Sequence, residues 1–92
     1  MSLLKLLQKE DILVTDCNTS TKYIEYLERE FKEEKVLFKN NAHYLRLREE
    51  LYINLIAKES NKLKELLMEL SEVRKDISEY LSKYIFTKES EV

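Results

Sequence analysis

The sequence predicts an all-α protein: a helical hairpin or small helical bundle with a long, coiled-coil-like C-terminal helix. Three observations carry this prediction. The 92 residues contain no glycine and no proline, where ordinary usage gives roughly six and about four or five. Apolar residues recur at spacings of three and four along most of the chain, the signature of one-sided helices. The best break between such stretches is a single pair, Asn40-Asn41. The missing glycines exclude a phosphate-cradling loop, a dinucleotide fingerprint and a nucleophile elbow. Tight hairpin turns lack their usual residue as well, which argues against an all-β fold.

The whole chain, 1–92, reads as one domain. Residues 3–14 form a first apolar segment and predict a short helix. Asp16-Cys17-Asn18-Thr19-Ser20-Thr21 is a cluster of turn and N-cap residues, so a polar loop is expected to close an N-terminal unit at 1–19. A short two-strand ribbon joining 12–15 to 84–87 is the weaker alternative for the ends. A helix over 20–39 follows, with Ile24, Leu27, Phe31 and Phe38 on one stripe and Tyr23 beside them. Asparagine both tolerates the left-handed conformation and caps a following helix, so Asn40-Asn41 predicts the turn of an antiparallel hairpin.

From 42 to 86 nothing strongly interrupts the helical pattern. This stretch is either one long helix or two helices broken near 58–62, where Glu59 and Lys62 fall on the apolar sector. Beyond it Leu63, Leu66, Leu70, Val73, Ile77, Tyr80 and Tyr84 occupy consecutive a and d heptad positions. Leu67, Leu81 and Ile85 widen the stripe, which suits a bundle. Residues 87–92 read as a polar tail.

A 20–39 helix is shorter than the stripe on 42–86, so something else must cover the remainder. A second copy of the chain or a different protein would do so. The expected partner or dimer interface is therefore Tyr44, Arg48, Tyr52, Leu63, Leu66, Leu70, Val73, Arg74, Ile77, Tyr80 and Tyr84. Two of these are charges inside apolar arcs. Arg48 has Tyr44 and Tyr52 four residues to either side, and either pairs with Glu30 or Glu34 while its stem covers core, or anchors an interface. Arg74 is read first as a flanking charge paired across a coiled seam.

Net charge is −2, too small for strong bulk attraction to polyanions. Its distribution is uneven. Residues 39–64 carry six basic and three acidic side chains, and residues 65–92 carry four and seven. An acidic C-terminal part is expected to lie against a basic middle, in the same chain or in a second copy.

No cofactor and no metal are expected. One cysteine and one histidine exclude the usual zinc sites and an internal disulfide. Cys17 has no adjacent cation to lower its thiol pKa. The lone cysteine and the absence of a long apolar run place the chain in the reducing cytoplasm, with no membrane span. The expected function is a non-enzymatic helical interaction module, a small regulator, inhibitor or adaptor that occludes a surface on a partner protein. The second expectation is a nucleic-acid-binding regulator with a basic tip over 32–46, centred on Lys35, Lys39, His43 and Arg46.

Overall fold

The computed structural model describes the backbone of residues 2–90 and the side chains of residues 2–84. It is a hairpin of two antiparallel helices, α1 (Leu3–Leu37) and α2 (Ala42–Ser90). Among the described residues there is no strand, so the two-strand alternative for the ends is not realised. At 1.5 Å per residue the 49 residues of α2 should span about 74 Å, and the hairpin measures 75 × 16 × 16 Å.

The expected break at 16–21 does not occur, and the separate 1–19 unit and 20–39 helix are one helix. The hydroxyls of Thr15, Thr19 and Thr21 donate to the carbonyls of Asp11, Thr15 and Cys17, each four residues back. These side chains are therefore satisfied inside a helix, and their capping potential goes unused. Cys17 and Ser20 are buried. The cap lies instead at Ser2, whose hydroxyl oxygen accepts from the Lys5 amide at 3.3 Å.

A second correction concerns the turn. Asn41 caps α2, its Oδ1 accepting from the Tyr44 amide at 3.1 Å. No described residue has positive φ, so neither asparagine adopts the left-handed conformation. The chain reverses instead through Phe38, at φ −113° and ψ 27°, whose amide closes the last turn of α1 onto Glu34. The Asn41 amide then donates to the Phe38 carbonyl at 2.9 Å.

Of the two readings of 42–86 the single helix is realised: α2 is unbroken at 58–62. The expected tail is corrected, because the backbone stays helical through Ser90 and 87–90 continue the helix. Residues 91–92 of that expected tail lie outside the described residues.

A single seam holds the rod together. On α1 the covered or partly covered positions include Leu3, Leu6, Glu10, Leu13, Cys17, Ser20, Ile24, Leu27, Phe31 and Glu34. These alternate by three and four without interruption, the knob spacing of a coiled coil. On α2 the matching series is Leu45, Arg48, Tyr52, Leu55, Glu59, Leu63, Leu66, Leu70, Val73 and Ile77. It contains two successive steps of four, at Leu55–Glu59–Leu63. Tyr52 to Leu63 is thus an eleven-residue repeat, which locally unwinds the supercoil and lets a straight helix keep its face. Lys62, placed on the stripe by simple angular counting, is exposed. Glu59 stays on the seam because it has a partner: Ser20, only 2% exposed, donates to Glu59 Oε1 at 2.8 Å. One apolar cluster, Leu13, Cys17, Leu70 and Val73, packs with Val14, Leu63, Leu66 and Ile77 on the open-end side of that polar layer.

Candidate protein-interaction surface

The seam consumes many of the residues expected to face a partner. Tyr52, Leu70 and Val73 are buried within the hairpin, and Leu63, Leu66 and Ile77 pack against that core. The inference that an outside chain must cover them fails for a physical reason: the second arm has 35 residues, and it is long enough to cover the seam positions as far as Ile77. Tyr80 and Tyr84 remain exposed, toward the open end.

The two arginines resolve as intrachain partners. Arg48 Nε donates to Glu34 Oε2 at 3.1 Å and Nη2 to Glu34 Oε1 at 2.9 Å. Two parallel N–H···O bonds of this kind add geometric specificity to the charge attraction. The guanidinium carbon lies 5.3 Å from the Tyr52 ring centroid, and Nη2 approaches the Tyr52 hydroxyl oxygen at 3.5 Å. Phe31 packs on Tyr52 at 5.1 Å between centroids, Phe38 on Tyr44 at 4.7 Å. The hydrogen bonds from Arg48 hold the Glu34 carboxyl below its ordinary pKa, against the opposing effect of desolvation. The Glu34 carboxylate in turn raises the Arg48 pKa. Burial pushes the Tyr52 phenol up, offset by Arg48. Arg74 Nε donates to Glu10 Oε2 at 3.1 Å, the expected pairing across a seam. The Arg48 clasp joins the arms near the turn, and the Arg74 pair joins them near the open end.

Around the turn, Lys39, His43 and Arg46 are exposed. Lys35 Nζ sits 4.4 Å from the Phe31 ring centroid. Ala42, His43 and Arg46 line a shallow niche of ≈ 300 Å³. The exposed carboxylates Glu33, Glu49 and Glu50 alternate with these bases, so the tip is mixed in charge.

What the hairpin leaves open was only partly legible beforehand. A two-helix rod has a seam but no second layer, so apolar residues beside the seam stay in water. Leu47 and Leu51 are 54% and 44% exposed. They lie one helical turn apart and share a strip of α2 with Tyr44. At the end of α1, Val36 and Leu37 are exposed too. On the opposite flank of α2 a groove of ≈ 370 Å³ is lined by Ser60, Leu63, Lys64, Leu67, Met68 and Ser71. The signal for both strips was in the sequence, as apolar residues at three-and-four spacing displaced from the seam. Of these residues, Leu67 is the one the sequence reading places on a widened stripe.

Among the described residues no group of three or more His, Cys, Asp or Glu side chains could hold a metal ion. No described helix is long and apolar enough to cross a membrane. No protein-family model matches the chain, and neither the curated proteins nor the solved structures contain a match.

Proposed function

We propose that this chain is a non-enzymatic helical interaction module, a small regulator, inhibitor or adaptor that acts by occluding a surface on another protein. One observation supports the reading. Leu47 and Leu51 lie in the open beside the turn, on a helix pinned to its neighbour by the Arg48–Glu34 clasp. Adjacent apolar side chains on a rigid helix face suit insertion into an apolar groove, at small cost in conformational entropy. The neighbouring Tyr44 supplies an aromatic rim, and the mixed charges of Lys39, Arg46, Glu49 and Glu50 keep the tip soluble. The mechanism is steric: the rod covers what its partner needs exposed, and no bond is made or broken.

The test is affinity capture from the source cell with the wild-type chain and with Leu47→Lys/Leu51→Lys. The expected result is a stoichiometric protein retained by the first and lost by the second, with the helical circular dichroism of both unchanged. Equal retention by both would place binding elsewhere, and failure to retain any protein would remove the reading. The alternative, a nucleic-acid-binding regulator using Lys35, Lys39, His43 and Arg46, is favoured if a heparin or nucleic-acid column retains the chain and releases it steeply with salt.

A further inference from the structure

We propose that the flank of α2 centred between residues 65 and 66 binds a second copy of this chain, with the two α2 helices antiparallel about a two-fold axis. This surface lies on the far side of α2 from Leu47 and Leu51 and does not depend on the function proposed above.

The first argument is charge. An acidic C-terminal part was expected to face a basic middle in the same chain or in a second one. Because α2 is one unbroken helix, those two parts are its own halves and cannot meet within a chain. Residues 42–64 carry five basic and three acidic side chains, and residues 65–90 carry four basic and six acidic. The halves are therefore +2 and −2. An antiparallel pair sets each half against its opposite, whereas a parallel pair sets like against like.

The second argument is the form of the patch. A two-fold interface brings one surface against itself. The groove residues match in pairs about their own centre: Ser60 with Ser71, Leu63 with Met68, and Lys64 with Leu67. That centre falls within one residue of the midpoint of Ala42–Ser90, so superposing the groove on itself aligns the two helices end to end. The paired serines are small and allow close approach. Leu67 and Met68, 50% and 60% exposed, supply the apolar contact. The Lys64 stem can lie along Leu67 of the second copy, with its ammonium directed toward the acidic half of that helix.

The third argument is area. A compact monomer of 11.1 kDa exposes about 5,700 Å², and this rod exposes 7619 Å². The excess, about 1,900 Å² per chain, exceeds the ~800 Å² per partner that a stable interface of standard size buries.

Light scattering over a concentration series, followed by disulfide trapping, tests the proposal. The mass is expected to rise from 11 toward 22 kDa, twice that of one chain, and to fall back as salt is added. Leu67→Glu is expected to remain at the monomer mass with unchanged helical circular dichroism. Trapping provides a readout independent of that variant. Chains carrying Ser60→Cys mixed with chains carrying Ser71→Cys should give a covalent dimer severalfold faster than either variant alone, while the native Cys17 is buried. A mass of 11 kDa throughout overturns the proposal. So does a Leu67→Glu dimer, or trapping by Ser60→Cys alone, which marks a parallel pair. None of these outcomes bears on capture through Leu47 and Leu51, so the two proposals fail separately.

Discussion

Leu67 and Leu70 offer a controlled perturbation of the seam, because they are the same residue type three positions apart on one helix. Leu70 is 6% exposed and belongs to the apolar cluster, whereas Leu67 is 50% exposed. Leu70→Ala replaces a buried isobutyl group with methyl and leaves a cavity between two helices that have no second layer to collapse into it. The loss should be about 3 kcal/mol, inside the ~2–5 kcal/mol span for buried leucines. Leu67→Ala removes a side chain already half in water and should cost about 1 kcal/mol in the monomer. A domain of this length has only about 5–14 kcal/mol of stability. At roughly 4–8 °C per kcal/mol, Leu70→Ala should lower the melting temperature by about 12–24 °C, and Leu67→Ala by about 4–8 °C. Thermal melts followed by circular dichroism are to be recorded at the lowest workable concentration and again at a higher one. The Leu70→Ala deficit should persist at both, because α1 of the same chain covers that residue. Equal deficits for the two variants, or a Leu70→Ala deficit that changes with concentration, would refute an intramolecular seam.

Three further outcomes follow from individual contacts. Asn41→Ala removes the acceptor for the Tyr44 amide and should cost about 0.5–2 kcal/mol by urea denaturation, as at other helix N-caps. An unchanged urea midpoint would mean that water replaces the cap fully. Glu34 has a folded pKa below its unfolded value of 4.5. The stability from its pair with Arg48 is therefore complete above the unfolded value, and it disappears as pH falls through the lowered folded value. The melting-temperature gap between wild type and Arg48→Met should stay constant near neutrality and narrow on acidification, and a gap that persists in acid would contradict the pairing. Replacing the polar layer with Ser20→Ala/Glu59→Leu exchanges a hydrogen bond for apolar contact. It should leave the melting temperature equal or higher while broadening the range of oligomeric masses, as buried polar pairs in coiled coils trade stability for register. A large fall in melting temperature with a single mass would show the pair to be purely stabilising.

The helical class and the position of the turn were legible because both rest on local signals: the absence of glycine and proline, the three-and-four spacing, and Asn40-Asn41. The extent of α1 was not. Thr19, Ser20 and Thr21 read as a loop because free hydroxyls compete for backbone groups. In a helix, two of those hydroxyls bond backward along their own backbone, as Thr15 does just before them, and the third reaches across to Glu59. Seen whole, Leu3 to Glu34 is an unbroken heptad ladder whose polar rungs, Glu10, Ser20 and Glu34, each have a partner on the other arm. Only the facing helix makes those rungs intelligible. The error in α1 then spread to the site. A short arm implies an uncovered seam, and on that reading Leu70 and Val73 face a partner, whereas they belong to the core. Arg48 fared better, because Glu34 was among the carboxylates its position could reach.

The cross-arm contacts also set an order in which the hairpin can assemble. The residues joined by the Arg48–Glu34 clasp are 14 apart in sequence, those joined by Ser20–Glu59 are 39 apart, and those joined by Arg74–Glu10 are 64 apart. Closing a chain loop costs more entropy as it lengthens, but each contact already formed shortens the loop that the next must close. The rod should therefore close like a zipper, from the turn outward, and quickly for its size, because its contacts are graded from local to distant. Opening runs in reverse. Amide hydrogens near Leu6 and Ile77 should exchange through partial unfastening, while those near Phe31 and Tyr52 wait for global unfolding. The open end is then the place where this molecule comes apart first, and the turn is where it is last to let go.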